Sequence, residues 1–253
     1  MKKFNADGPE YSLFDFAQGT AELSLSEGSA PQGGAVMLPW DAAVASRGAP
    51  IAPYRTTGKR ALDVLLVLMS LPFTLPVIAL CALALWLEGG SPFYTQQRVG
   101  RKGRTFSILK LRTMVRDADA ALARILAEDP EMRAEWDSLQ KLKNDPRITP
   151  VGAFLRATSL DELPQLLNVL KGDMSLVGPR PMMLDQQEMY GDMRAYVAVR
   201  PGITGLWQVS ARNGNTFAYR NEVDAAYERS LSFGNDVTIL AKTVGVVLRG
   251  TGY

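Results

Sequence analysis

Two adjacent carboxylates, Asp161 and Glu162, are the residues of this chain best placed to do chemistry. They stand at the start of an apolar repeat with the i, i+3, i+4, i+7 spacing of one helix face, formed by Leu163, Leu166, Leu167 and Leu170. Ser159 with Glu162 matches a capping box, and Gly172 is a typical helix end. The pattern predicts a helix that begins near Ser159 to Glu162 and has the acidic pair at the positive end of its dipole.

A short rigid segment follows this helix, Gly178-Pro179-Arg180-Pro181. The two prolines fix their own φ and push the preceding residues towards extended geometry, so the Arg180 guanidinium is held in a restricted position. A guanidinium in that position can fork onto phosphate oxygens. The acidic pair alone is most simply a helix cap; followed by an anchored arginine, it indicates phosphoryl chemistry.

The amino-acid composition excludes several classes of catalytic site. The chain of 253 residues contains no histidine, which excludes a Ser-His-Asp triad and an HExxH zinc site. Its single cysteine, Cys81, cannot form an intramolecular disulfide. Catalysis must therefore rest on carboxylates, basic groups or a metal.

The charge is unevenly distributed along the chain. The net charge is only +2, but the stretch from Arg55 to Arg116 carries ten Lys or Arg and two acidic residues, a local net charge of +8. Such a stretch favours an anionic partner: phosphates, nucleic acid or an acidic membrane surface.

Val64 to Leu87 is a run of 24 residues without a charge. As a single helix it would be about 36 Å long, enough to cross a bilayer, and one spanning helix is the default interpretation. However, Pro72 and Pro76 interrupt its centre, and both flanks are basic, which the positive-inside rule would keep on the cytoplasmic side. We therefore predict a re-entrant membrane hairpin that breaks at these prolines.

A strand is predicted after this segment. Alternate residues of a strand lie on the same face, and here these are Phe106, Ile108, Lys110 and Arg112. The two cations among them should therefore project from one face. These cations either prevent further strand pairing at a solvated sheet edge or bind a phosphate.

Asp117 to Leu142 is predicted to be helical. Its Asp117-Ala118-Asp119 matches the DxD of metal-dependent glycosyltransferases only superficially, because charged residues on such a helix are usually solvated. Arg200 to Val209 reads as a glycine-punctuated loop that runs into a strand, and amphipathic helices are expected near 217–230 and 235–249.

The fold class expected from these elements is mixed α/β and mostly helical, in a monotopic membrane protein. Residues 1–54, rich in Gly, Ala, Ser and Pro, are predicted to be a disordered tail. Residues 55–97 would form the re-entrant hairpin with its basic flank, and residues 98–253 a cytoplasmic catalytic domain.

Several motifs together resemble the monotopic bacterial phosphoglycosyl transferases. These are KRALDV before the apolar segment, QQRVGRKGRTFSILKLRTM, LRATSLDELPQLLNVLKGDMSLVGPRP and RPGITGLWQVSARN. The resemblance covers about Lys59 to Tyr253 and is greatest to the short enzymes that start exopolysaccharide synthesis. One departure is Leu75, which stands before Pro76 where family members usually have serine.

The resemblance implies transfer of a sugar-1-phosphate from a UDP-sugar, UDP-galactose or UDP-glucose, to undecaprenyl phosphate, with release of UMP. Asp161 matches the family nucleophile, which forms a covalent phosphosugar–aspartate, and Glu162 completes the dyad. The cofactor would be Mg²⁺, held at Asp161 and Glu162. Arg180 matches the phosphate-binding arginine of the family, and the further candidates for phosphate or nucleotide contact are Arg156, Arg212, Lys110 and Arg112.

The same resemblance implies the cytoplasmic face of a bacterial inner membrane, with membrane lipids as partners and no nucleic acid. A homo-oligomer is left open. Within this picture, Asp161 could instead only ligate Mg²⁺ while the lipid phosphate attacks directly. Two alternatives from other classes are a non-catalytic membrane scaffold for polysaccharide assembly and a conventional glycosyltransferase that uses Asp117 and Asp119 and releases UDP.

Overall fold

The computed structural model describes residues 53–139, 142–210 and 217–248, which all belong to one compact unit. Apart from residues 53 and 54, the predicted tail lies outside the described residues, and so does Arg212. Tyr54 belongs to the folded part, because its hydroxyl donates a hydrogen bond to Asp236 Oδ2 at 2.5 Å.

The architecture is mostly helical with short strands, as the sequence predicts. The strands are β1 (Phe93–Val99), β2 (Thr105–Leu111), β3 (Ser175–Val177) and β4 (Gly202–Thr204). The α-helices are α1 (Lys59–Glu88), α2 (Ala118–Glu128), α3 (Pro130–Leu139), α4 (Pro150–Ala157), α5 (Leu166–Lys171), α6 (Gln187–Tyr190), α7 (Arg194–Ala198), α8 (Leu206–Ser210), α9 (Phe217–Ser230) and α10 (Phe233–Leu248). Single turns of other helix types are Tyr54–Gly58, Arg101–Gly103, Leu160–Gln165 and Leu184–Gln186.

Helix α1 is continuous through Pro72 and Pro76, so the predicted break in the helix at these prolines is wrong. Each proline removes one backbone donor, but the flanking turns remain helical. Together with the preceding turn, α1 forms a helix of 35 residues, Tyr54–Glu88, that is long and apolar enough to cross a membrane by length and composition. This helix indicates membrane association.

Two hydroxyl groups support the proline-containing part of α1. Thr74 Oγ1 donates to the carbonyl of Ser70 at 3.1 Å, and Ser70 Oγ donates to the carbonyl of Val67 at 2.8 Å. Back-bonding of this kind is a common accompaniment of helix bending. The hydroxyl that Leu75 lacks thus has counterparts one and five residues earlier.

Both ends of α1 pack against the rest of the unit, whereas its centre is exposed. Val67 packs with Phe106 and Ile108 in one apolar cluster, and Leu85 lies in another that includes Leu111. Between them, Phe73 is 77% exposed. The exposed apolar surface of α1 thus extends from Leu65 to Leu87, and no residue between Val67 and Cys81 is buried.

Strands β1 and β2 form an antiparallel hairpin in which Phe93 pairs with Leu111 and Val99 with Thr105. Phe106 and Ile108 are buried, and Lys110 lies on the same face of β2 at the edge of the core. The predicted strand is confirmed. Because Phe106 and Ile108 are buried, this face of β2 is not a solvated sheet edge.

The segment after Ser159 differs from the predicted helix. It begins as a 3₁₀ turn, Leu160–Gln165, and becomes α-helical only in α5. Ser159 has a φ of 57° and its side chain makes no cap hydrogen bond, so the predicted capping box is wrong. The change of helix type rotates the following residues, and Leu167 is 43% exposed while Asn168 is buried. The predicted end at Gly172, in the left-handed region, is confirmed.

Strands β3 and β4 are parallel, with Ser175 opposite Gly202 and Val177 opposite Thr204. The prediction that Arg200 to Val209 is a loop running into a strand is wrong in its order: the strand β4 comes first, and the end of the segment, where the strand was predicted, is the helix α8. A Cβ added at Gly178 would lie 2.2 Å from the carbonyl oxygen of Arg200. This close approach of two backbones fixes the segment that carries Arg180.

Candidate active site

The carboxylate pair meets Lys110 of β2. Lys110 Nζ donates to Glu162 Oε1 at 2.7 Å and lies 3.7 Å from Asp161 Oδ2. Asn168 fixes the register between the two elements, because its side-chain oxygen accepts from the Leu109 N–H at 3.0 Å. One ammonium group thus neutralises part of the charge of two adjacent acids.

Asp161 is buried, with only 8% of its surface exposed. Burial raises the pKa of its carboxyl above the ordinary value, Lys110 opposes the rise, and the neighbouring Glu162 adds to it. A carboxylate that is poorly solvated but charge-compensated is more nucleophilic than one in water, since less solvent must be displaced from it.

Arg180 completes this cluster from the Pro-Arg-Pro segment. Its Nη1 lies 3.6 Å from Glu162 Oε1, and 41% of its side chain is exposed. The guanidinium therefore faces both the carboxylates and solvent, a position from which it can bind an incoming phosphate.

Arg180 is held by residues that no sequence motif pointed to. Arg220 of α9 donates from Nη2 to the Arg180 backbone carbonyl. Its guanidinium carbon lies 5.8 Å from the ring centres of both Tyr190 and Trp207, and its Nε lies 3.8 Å from Asp224 Oδ2. This buried arginine positions the Arg180 segment from behind.

Arg98 is a second arginine that sequence reasoning missed. It donates to the Pro181 carbonyl at 3.4 Å and to Gln96 Oε1 at 2.5 Å. Burial, followed by the positive charges of Arg180 and other groups, lowers its pKa to about 10. Because the charge of Arg180 acts on Arg98, an anion beside the two groups would be favoured.

The remaining predicted phosphate-binding residues separate into two groups. Arg156 donates to Thr113 Oγ1 at 2.9 Å, and its charge lowers the pKa of Asp161, so it belongs to the cluster. Arg112 instead donates to the Leu85 carbonyl at 3.1 Å and ties the end of α1 to β2. Arg212 is not among the described residues.

The acidic residues of the superficial DxD, Asp117 and Asp119, are exposed on the surface at the start of α2. Within the described ranges no group of three or more acidic, His or Cys side chains could hold a metal. Asp161 and Glu162 offer carboxylate oxygens, which suit Mg²⁺, and Mg²⁺ commonly takes one or two carboxylates together with substrate phosphates. The pair therefore fits a metal that arrives with a diphosphate, rather than one held by protein alone.

The sequence profile of the family described as "Bacterial sugar transferase" matches residues 54–250. The chain belongs to this family. The match includes β1 and β2, the acidic pair, the Arg180 segment and α1, so every part of the cluster described above lies inside the bacterial sugar transferase region.

Curated relatives agree with this assignment. The chain is 48% identical over 195 residues to the UDP-galactose-lipid carrier transferase of Erwinia amylovora, covering 77% of this chain and 41% of that protein. It is 49% identical over 195 residues to the undecaprenyl-phosphate galactose phosphotransferase of Salmonella typhimurium, with the same coverage of 77% and 41%. It is 42% identical over 204 residues to the exopolysaccharide production protein ExoY of Rhizobium meliloti, covering 80% of this chain and 90% of that protein. The chain thus spans about two-fifths of the first two relatives and nearly all of ExoY.

Proposed function

We propose that this protein transfers a hexose-1-phosphate from UDP-galactose or UDP-glucose to undecaprenyl phosphate and releases UMP, as the first membrane step of exopolysaccharide synthesis. The observation that carries the proposal is the buried Asp161, beside Glu162 and 3.7 Å from Lys110, with Arg180 at the open side. The relatives support the reaction class, since they include a UDP-galactose-lipid carrier transferase, an undecaprenyl-phosphate galactose phosphotransferase and the exopolysaccharide production protein ExoY.

The chemistry runs in two displacements. A carboxylate oxygen of Asp161 attacks the β-phosphorus of the donor, and the bond from that phosphorus to the bridging oxygen breaks, so UMP leaves with this oxygen. A phosphate oxygen of undecaprenyl phosphate then attacks the phosphorus of the phosphosugar–aspartate. The Asp161 carboxylate is released, and the product is an undecaprenyl diphosphate sugar.

The cations of the site assist both displacements. Lys110 keeps Glu162 charge-paired, so that a diphosphate is not repelled by two uncompensated acids. Arg180 faces the position where phosphate charge develops, and Arg156 stabilises the ionised form of Asp161. Mg²⁺, which Asp161 and Glu162 would hold, would neutralise charge on the diphosphate.

The lipid substrate requires this site to face a membrane, and the anchoring of α1 supports a re-entrant arrangement. Arg60, near the start of α1, donates to the carbonyls of Val169 and Leu170. The Leu85 carbonyl, near its end, accepts from Arg112. A straight helix over these 25 residues would span about 38 Å.

The two anchoring points lie on neighbouring parts of the fold, α5 and the residue that follows β2. Asn168, next to the first anchor, bonds to Ser107 and Leu109, which lie three to five residues from Arg112, or about 10–17 Å along β2. A bend within α1, at its proline-containing centre, would bring both ends to one face of the membrane. We propose that α1 enters and leaves the inner membrane on the cytoplasmic side.

The reaction is tested with the full chain in detergent, a β-³²P-labelled UDP-sugar and Mg²⁺. We expect label on the protein, with one equivalent of UMP, before any undecaprenyl phosphate is added, and turnover only after its addition. Asp161→Asn should abolish both the labelling and the turnover, whereas Arg124→Gln, an exposed arginine on α2, should retain them.

Other outcomes point to other reactions. UMP release that needs the lipid and gives no labelled protein would mean direct attack by the lipid phosphate, with Asp161 serving only the metal. UDP as the released nucleotide would indicate a conventional glycosyltransferase. A fully active Asp161→Asn variant would refute the assignment of the nucleophile.

A further inference from the structure

A second cationic feature lies at the opposite end of β2 from the carboxylates. It is a surface pocket of about 300 Å³, which we call the β-turn pocket because the turn between β1 and β2 forms one side. Its lining includes four cationic side chains and one acidic one: Arg101, Lys102, Arg104, Arg200 and Asp173. Thr105 lies at its edge, five residues or about 17 Å from Lys110, so the pocket is separate from the Asp161 cluster.

The turn that carries three of these cations is a rigid platform. Gly100 donates to the Arg104 carbonyl at 2.7 Å, and Gly103 donates to the Gly100 carbonyl at 3.1 Å. Lys102 has a φ of 60°, a conformation that few residues with a side chain adopt. Phe106 forms the base, because a Cβ added at Gly100 would lie 3.0 Å from its ring. The cations are therefore presented together by a compact backbone.

The opposite wall contributes two more arginines. Arg200 donates from Nε to the Gly172 carbonyl at 2.8 Å. Arg60 of α1 lies behind Gly172, with Nη2 3.7 Å from the position of a Cβ there. Burial is the largest influence that lowers the pKa of Arg200, and the positive charges of Arg101 and Arg60 lower it further.

These cations lack the carboxylate partners that arginines elsewhere on the surface have. Arg133 pairs with Asp137 and Arg194 with Asp192. Within the ranges that the structure describes, the four cations of the pocket and Asp173 make no salt bridge. The four cations outnumber the one acid of this concave site by three charges, and such a site favours an anion with several acceptor oxygens.

The position of the pocket indicates where that anion comes from. Arg60 at its rear is on α1, and Leu65, 56% exposed, begins the apolar surface of the helix about 8 Å further along. A phosphodiester headgroup lies just outside the apolar region of a bilayer, at this depth.

From these observations we propose that the β-turn pocket binds the phosphate of an anionic phospholipid headgroup. The pocket is distinct from the lipid-substrate site beside Asp161, and the proposal does not depend on the reaction that Asp161 performs.

The test is calorimetric titration of the full chain, in neutral detergent, with dioctanoyl phosphatidylglycerol, with its zwitterionic phosphatidylcholine counterpart, and with inorganic phosphate. The diagnostic variant is Lys102→Asn with Arg104→Gln. Both side chains are exposed, and Asn tolerates the left-handed backbone of Lys102. Arg124→Gln removes one exposed charge elsewhere, and Arg180→Gln removes the phosphate-binding group of the Asp161 cluster.

We expect phosphatidylglycerol to bind the wild type in preference to phosphatidylcholine, and the double variant to bind it at least about tenfold more weakly. The two single variants should keep wild-type affinity. Binding of inorganic phosphate with the same loss in the double variant would support the site with a free phosphate as its ligand; no phosphate binding would identify the lipid as the source. Wild-type affinity in the double variant, equal affinity for phosphatidylcholine, or an equal loss in Arg124→Gln or Arg180→Gln would refute the proposal.

Discussion

Asp224 provides the most quantitative prediction, because its ionisation is coupled to the support of Arg180. The carboxylate is 2% exposed, accepts from the Tyr190 hydroxyl at 2.5 Å and lies 3.8 Å from Arg220 Nε. Burial is the largest influence, and it raises the pKa of Asp224 from 3.8 to about 6 in spite of Arg220. In the unfolded chain this carboxyl should titrate at its ordinary value.

The sign and the size of the effect of pH on stability follow from the difference between the folded and the unfolded pKa of Asp224. Below about pH 3.8 the group is protonated in both the folded and the unfolded state, and its contribution to stability is fully present. As the pH rises towards 6 the unfolded state loses its proton first, so folding becomes less favourable. The difference corresponds to about 3 kcal/mol, most of which is lost between pH 4 and pH 7.

The measurement is urea unfolding of the full chain and of Asp224→Asn in neutral detergent at intervals from pH 4 to pH 7. Asn keeps the size of the side chain and an oxygen that can accept from Tyr190. Other titrating groups affect both proteins equally, so the difference between their free energies of unfolding isolates Asp224. We expect the stability of the wild type relative to the variant to fall by about 2 kcal/mol over this range.

A constant difference between the two proteins would contradict the reasoning, since it would mean that Asp224 titrates at the same pH in both states. A difference that grows in favour of the wild type as the pH rises would be a stronger refutation. It would mean that the Arg220 charge outweighs burial, and that this pair is a net stabilising ion pair at neutral pH.

Two further substitutions test the site and its support. Lys110→Met removes the ammonium shared by the acidic pair and should lower the rate of UMP release at least about tenfold. The control Lys171→Met, at an exposed position on α5, should leave this rate unchanged. Rates of the two variants within twofold of each other would contradict the role of Lys110. Gly178→Ala places a Cβ 2.2 Å from the Arg200 carbonyl and should lower the free energy of unfolding by about 3 kcal/mol. Gly245→Ala, within α10 and with open space around the added Cβ, should instead stabilise the protein by about 1 kcal/mol in the same urea titration.

The sequence was most informative where the structure depends on neighbours along the chain. Strand parity correctly placed Lys110 on the face of β2 that continues the core, and the two prolines around Arg180 correctly indicated a fixed segment. Arg112 shares this parity, but it lies beyond the end of β2 and turns to the Leu85 carbonyl. Parity describes only the residues inside the strand.

Local patterns were least informative where backbone geometry or distant contacts decide. Ser159 and Glu162 have the spacing of a capping box, but the positive φ of Ser159 prevents it and a 3₁₀ turn follows. Arg220 and Asp224 look like an ordinary i,i+4 surface pair in sequence. They are buried because α9 packs against α6, α7 and α8, a contact that no local pattern encodes.

The position of α1 and the geometry of the site are linked through one buried side chain. Asp63 of α1 accepts from the Leu176 N–H at 2.9 Å and from the Ser175 hydroxyl at 3.0 Å, both in β3. The chain passes from β3 directly into the segment that carries Arg180, and Gly178 fixes that segment against the backbone of Arg200. The helix associated with the membrane therefore holds the strand that leads into the Arg180 segment. In the proposed reaction a lipid phosphate would have to reach Asp161 at a fixed height above the membrane, and this connection would allow α1 to set that height for the whole site.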